Sequence, residues 1–406
     1  MPGDGEASLA SHSGPSFRSL FPTIYLPALL FASGLGAVIP QIALTARGRG
    51  ASLPMAGIAV ALRALGTAAF DVPSGAIVAR FGQRKALLIA SGLFVVSLLG
   101  CMISDSVWAF SLWIFVLGCG WSVWLIAGIT YISDVIPSQR RGRALSTMGG
   151  TLRIGMFIGP FAGAAAVALI GVDGAYLVHL ILAAAAGVLI FFSFRDPHAG
   201  SWPVRRHVPL DLRGIGRRHM AVFLTGGIGI LTLGALRTSR EVILPLWAEF
   251  IGLDAVAVGV IFGISSAIDM TLFYPVGSIS DRFGRKVVAV PCMTLLALGL
   301  MLVPLARGFW PLVAIGVLLG IGNGLGSGIV MTLGADFSPD QERAAFLGVW
   351  NLIGHLGSTG GPLIASAVAA ISLAAAPLTV GAIGLAGAVL VLLKMPEPRR
   401  LDTEAA

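Results

Sequence analysis

The sequence predicts an all-α membrane protein: twelve transmembrane helices in two parallel six-helix pseudo-repeats. Three observations carry that expectation. Of 406 residues, 56% are hydrophobic and only 11% charged, and the mean hydropathy of +0.91 lies far outside the range of soluble globular chains. Twelve apolar stretches each reach the roughly 20 residues a helix needs to cross the hydrocarbon, too long for barrel strands. A basic, glycine-punctuated phrase, GAIVARFGQRK at residues 75–85, returns 202 positions later as GSISDRFGRK at 277–286.

The elements follow in order. Residues 1–19 are polar, rich in Ser and Gly, and lack the charged start and cleavage pattern of a signal peptide, so a cytoplasmic tail is expected. A first half, 20–194, holds spans at 20–45, 54–78, 86–104, 107–132, 144–170 and 175–194. Residues 195–219, with six Arg, three His and three Pro, read as a cytoplasmic linker. A second half, 220–394, holds spans at 220–248, 256–279, 287–306, 309–333, 345–370 and 373–394, and 395–406 form a second tail.

Charge placement orients this chain. With the N-terminus in the cytoplasm, twenty of the 27 Lys and Arg fall on cytoplasmic segments, and only Arg47, Arg49 and Arg307 on external loops. The positive-inside rule then puts both termini in the cytoplasm, in the plasma membrane. The basic pI of about 10.1 follows from this bias; the cations are spread over short loops, so no nucleic-acid partner is expected. Cys101, Cys119 and Cys292 fall inside spans without metal-ligand spacing, as small core residues do. No cofactor or metal is expected, and the chain reads as a monomer.

The repeat extends beyond its phrase. At the same offset Pro73 matches Pro275, Asp134 matches Asp336, Pro137 matches Pro339, Arg141 matches Arg343, Gly155 matches Gly357, Gly159 matches Gly361 and Pro160 matches Pro362. A register held from the second to the fifth span and from the eighth to the eleventh argues for duplication. Six spans is an even number, so both halves point the same way, a transporter plan whose solute site lies at the midplane between repeats.

The doubled phrase resembles the signature loop of the major facilitator superfamily. Gly277, Asp281, Arg282, Gly284, Arg285 and Lys286 match it fully. In the first copy Gly75, Arg80, Gly82, Arg84 and Lys85 match, but Ala79 stands where the family has Asp. The resemblance implies alternating access, with the loop's acid pairing to basic groups of the opposite half; Asp281 is then the latch candidate. Gly75 and Gly277 are expected to let helices approach closely. Gly155, Gly159, Pro160 and Gly163 are similar to the Gly-Pro motif of proton-antiporting exporters in that superfamily, echoed by Gly361 and Pro362. That likeness implies a seal between halves, with plain packing as the other reading.

Ionisable residues inside spans cost about 2.5–3.5 kcal/mol each on insertion scales and therefore point to function. They are Arg63, Asp71, Arg153, Arg237, Arg240, Glu241, Asp269 and His355. Arg237, Arg240 and Glu241 share one helix face, so Glu241 can neutralise Arg237 locally. Asp71, four residues before Gly75, is expected to brace the loop. Asp269 has no opposite charge one turn away; it reads as a proton carrier, an interhelical partner of an Arg, or a solute ligand. Glu241 is the second candidate for proton coupling. Arg153 and His355 are 202 apart and should share one depth across the pseudo-twofold axis. Arg63, Arg153, Arg237, Arg240 and His355 are assigned to the substrate cavity, with Trp121 and Trp124 as its aromatic walls or as packing. Four Arg against three carboxylates lean the solute toward an anion or zwitterion.

No phosphate-binding loop surrounds Lys85, Lys286 or Lys394, so an ion gradient rather than ATP drives any transport. Three functions stay open: a proton-coupled exporter of small amphipathic drugs or metabolites, a proton-coupled importer of an organic anion, or a non-transporting membrane sensor. The expected partners are a small-molecule solute, protons and membrane lipid.

Overall fold

The computed structural model describes residues 20–194, 212–339 and 342–396. The expected tail 1–19, and most of the linker and of the second tail, lie outside the described residues. Within the linker stretch, Leu212–Arg218 form a short helix.

Twelve long helical segments run back and forth. The first is α1, Phe21–Gly48, a chain of π, α, 3-10 and α turns whose breaks sit beside Pro22, Pro27 and Pro40, where a missing N–H interrupts the ladder. Then come α2 (53–81) and α3 (83–103), continuous except for non-helical Gly82 between them. They are followed by α4 (Val107–Val135), α5 (Ser138–Ile170) and α6 (Asp173–Ser193). The second half comprises α7 (Met220–Phe250), α8 (Ala255–Phe283), α9 (Lys286–Leu305), α10 (Phe309–Phe337), α11 (Arg343–Ala369) and α12 (Ala375–Lys394). Arg343–Ala369 is long enough to cross but carries Asn351, His355, Ser358 and five glycines, which dilute its hydropathy.

The glycines of the repeated phrase that matter for the backbone are Gly82 and Gly284. Gly82 has φ 79° and ψ 167°, and Gly284 has φ 102° and ψ 166°. This region is closed to side chains with a Cβ, so each marks the sharp turn between helices. Gly82→Ala is expected to cost about 1–3 kcal/mol, read as a lowered unfolding temperature in detergent; an unshifted melt would mean the turn relaxes freely.

The same phrase is tied down by comparable contacts in both halves. Gln83 Nε2 donates to Asp134 Oδ2 at 2.6 Å, and its repeat mate Arg285 donates through Nε to Asp336 Oδ2 at 2.8 Å. Arg84 Nη2 donates to the Phe191 carbonyl at 2.6 Å, and Lys286 Nζ to the Leu392 carbonyl at 3.2 Å. A cation thus caps the last turn of α6 and of α12, where carbonyls lack partners.

Cys101, Cys119 and Cys292 are buried free thiols. Trp124 is buried beside Phe31 and Trp121, and Trp350 donates to the Val330 carbonyl. Trp124 therefore belongs to the packing of the first half rather than to a cavity wall. Trp121, half-buried, is its outer neighbour.

Candidate functional site between the two halves

The halves meet along two helix pairs, α2 with α11 and α5 with α8. At the end far from the repeated loops the contact is tight. A Cβ on Gly57 would overlap the Ser366 hydroxyl, and one on Gly259 would press on Ala164 at 2.9 Å. Gln41 Nε2 donates to the Ala255 carbonyl at 3.0 Å, and Arg47 meets Glu249 at 3.3 Å. Toward the loop end the backbones draw apart. A methyl group on Gly75 or Gly277 would meet nothing within 4 Å, and Val72 and Tyr274 are 81% and 86% exposed. The expected close approach at Gly75 and Gly277 is therefore not made in this conformation, because the helix ends splay there.

Two ion pairs and one histidine–carboxylate contact cross the interface between the halves. Arg63 of α2 donates to Glu241 of α7 at 2.5 Å. Arg153 of α5 donates to Asp269 of α8 at 2.6 Å, and Asn323 of α10 donates to the other Asp269 oxygen at 2.9 Å. His355 Nε2 of α11 lies 2.8 Å from Asp71 of α2, whose other oxygen accepts from Ser122 at 2.7 Å. Arg153 and His355 thus play equivalent parts, each basic group reaching an acid on the opposite half, and Asp71 sits one helical turn from the position equivalent to Asp269.

Two local expectations change as a result. Glu241 does not neutralise Arg237 within α7; it turns to Arg63, and Arg237 instead donates to the Gly326 carbonyl at 2.7 Å. That carbonyl lies in the break of α10 at Gly326–Gly328, with Gly328 at φ 76°, where its only backbone donor among the described residues is the Ile329 N–H at 3.3 Å. Asp71 does not brace its own loop, since both its oxygens are engaged by α4 and α11. Arg240 has no hydrogen-bond or ion-pair partner among the described residues, and its Nε is buried. Its electrostatic neighbours are Asp269, Glu241, Arg237 and Arg153.

The Gly-Pro motif faces inward to its own half. Gly155 and Gly159 press on Ala32, Ser33 and Gly36 of α1, and Gly357 and Gly361 press on Leu231 and Ala235 of α7. The residues that meet the other half lie on the opposite helix face: the Pro160 carbonyl and Ala164 against Gly259, and the Pro362 carbonyl against Gly57. In the loops, Asp281 pairs with Arg285 at 2.7 Å within its own half rather than with the opposite one. Arg80 and Arg282 lie over the rings of Phe81 and Phe283 at the loop end.

Gln41, Ser122, Asn323 and the α10 break escaped a survey of charged residues alone. Their signal was present as uncharged polar side chains, and as clustered glycines, inside apolar stretches.

Residues 24–270 and 228–406 match the family model described as Major Facilitator Superfamily. The chain belongs to this superfamily. It is a multi-pass membrane transporter by family, with twelve helices in two six-helix repeats, and its relatives are transporters rather than enzymes. A tetracycline resistance protein, class C, of Escherichia coli is 28% identical over 374 residues, covering 85% of this chain and 86% of the relative. Among solved structures, a D-xylose–proton symporter superposes with a TM-score of 0.73 at 17% identity, covering 95% of this chain and 99% of the symporter. A POT family transporter superposes at 0.75 and 11% identity, covering 93% and 96%. These two likenesses concern the fold of a superfamily member and nothing finer.

The seal at the far end yields a second expectation. Gly57→Leu places a side chain where Ser366 and the Pro362 carbonyl now sit, so the far end should be unable to close. A cysteine introduced at Ala255, beneath Gln41, should then label with a membrane-impermeant thiol reagent several-fold faster than in the parent. Equal labelling would show that α2 and α11 tolerate the bulk by sliding.

Proposed function

We propose that this superfamily member is a proton-coupled exporter of small amphipathic drugs or metabolites. It works by alternating access in the plasma membrane, with both termini in the cytoplasm. The observation that carries the reading is Asp269, an acid on one half that holds Arg153 of the other at 2.6 Å. A proton on this carboxyl removes the charge that attracts Arg153, so proton binding and an inter-half contact exclude each other. Coupling requires such a difference in affinity between two states. With the basic loops on the cytoplasmic side, the splayed loop end makes this the conformation facing the cytoplasm, from which an exporter loads. The relationship to a tetracycline resistance protein supports the choice of drug-like solutes.

Arg240 favours a second reading, a proton-coupled importer of an organic anion. An unpaired guanidinium among Arg153 and Arg237 leaves the site with more positive than negative charge, and planar bidentate recognition of an acid group is what Arg supplies.

The test uses everted vesicles with an acidified lumen and a panel of tetracycline, other amphipathic drugs and organic acids, with luminal pH followed optically. Under the export reading an amphipathic solute collapses the gradient in wild type and fails to do so in Asp269→Asn. A solute that drives protons with itself in the opposite sense overturns export and establishes the importer.

A further inference from the structure

We propose that the first half carries a specific site for an anionic phospholipid, in the groove between α3 and α6 with its phosphate anchor at Arg84 and Lys85. The groove has a volume of about 360 Å³ and is lined by Leu88, Gly92, Val95, Ala184, Gly187 and Val188, with Phe191 and Phe192 at one end. Val188 and Phe192 are more than half exposed, so the groove faces the surrounding membrane. From Leu88 to Val95 it runs about 10 Å along the helix axis, the shape of a straight apolar chain.

The small residues that line the groove belong to the first half alone. At the offset of 202 residues, Ser91, Gly92, Ala183 and Gly187 correspond to Met293, Thr294, Leu385 and Val389 of α9 and α12. The second half carries a larger side chain at each of these four positions. A Cβ at Gly92 would meet nothing within 4 Å, whereas one at Gly187 would touch Ser91 at 3.1 Å. Small residues on both helices, rather than a bend in either, therefore open the groove.

Charge at one end identifies the occupant. Arg84 lies one helical turn before Leu88 on the same face. It spends one donor on the Phe191 carbonyl and stacks over the Phe191 ring at 5.5 Å. Its Nε is buried with no partner, and a guanidinium has five donors in all. Lys85 beside it is exposed and makes no hydrogen bond or ion pair among the described residues. Asp134, the acid that this loop does reach, is engaged by Gln83. Two unneutralised cations at the head of an apolar groove match a negatively charged head group over an acyl chain.

Native mass spectrometry of the full chain in detergent tests this, with phosphatidylglycerol and phosphatidylcholine of identical acyl chains as probes. Wild type should retain phosphatidylglycerol in preference, by roughly fivefold for each cation. Lys85→Gln and Arg84→Gln should each lower phosphatidylglycerol retention by about that factor and leave phosphatidylcholine unchanged. Lys85→Gln keeps the test valid if loss of the α6 cap unfolds the Arg84 variant. Gly92→Leu, which fills open space with a better helix former, should lower retention of both lipids. Equal retention of the two lipids by wild type overturns the proposal, as does a Gly92→Leu protein that binds like wild type. Competition by glycerol 3-phosphate as strong as by the whole lipid would overturn it in favour of a free phosphate site. A lipid-free dimer dissociated by Gly92→Leu would overturn it in favour of a second copy.

Discussion

Glu241→Gln is expected to lower stability by about 3 kcal/mol, the largest loss from any single change at the interface. Glu241 is the partner of Arg63 across the halves, both side chains are only 13% exposed, and Arg237 and Arg240 stand on the same face of α7. Removing the one acid leaves three cations in a poorly solvated space, with Asp269 already held by Arg153 and Asn323. Breaking a buried pair from one side costs more than the pair itself contributes, because the remaining charge keeps its desolvation penalty. The double variant Arg63→Gln/Glu241→Gln should therefore be more stable than Glu241→Gln alone, the non-additivity that marks two residues in contact. Thermal unfolding in detergent reads both effects. A Glu241→Gln protein that melts with wild type would show that water screens the cluster.

The fold was legible because its signals are one-dimensional: the length of each apolar run, the sign bias of the short loops, and a register of 202 that never slips. Gly82 and Gly284 were legible as a motif and are explained by their left-handed backbone. The interface was legible as a roster of charged residues but not as a set of pairs. Spacing along one helix suggested that Glu241 serves Arg237, yet α7 offers Glu241 a partner at 2.5 Å on α2, and the α10 break offers Arg237 a carbonyl. Neither partner is local, so no periodicity within α7 reveals it. The loop contacts are likewise set by partners that are not local. Aligning Arg84 with Arg285 follows the letters, whereas the contacts align Gln83 with Arg285 on Asp134 and Asp336, and Arg84 with Lys286 on the carbonyls of α6 and α12. Polar but uncharged Gln41 and Asn323 went unnoticed because burial of an amide costs less than burial of a charge, which makes such residues commoner and each one a weaker signal.

Asp269→Asn is expected to separate binding from energy coupling. The substituted amide keeps the size of the carboxyl and can still accept from Asn323 Nδ2, so the local packing of α8 on α10 should survive. What it loses is the charge held 2.6 Å from Arg153 and the ability to take a proton. Solute exchange down its own gradient should therefore persist, while uphill transport disappears. One proton moved through 100 mV represents roughly 2.3 kcal/mol, or about fifty-fold in concentration at tenfold per 1.4 kcal/mol, and that is the accumulation the variant should forfeit. Asp269→Glu retains a titratable group on a longer arm and should keep part of it. Reconstituted vesicles with and without an imposed pH gradient distinguish the two activities in one preparation. If Asp269→Asn still transports uphill at wild-type level, the proton must ride elsewhere. His355 and Asp71, 2.8 Å apart on the other crossing helix pair, then become the coupling site, and His355→Gln in the same vesicles should abolish what Asp269→Asn left intact.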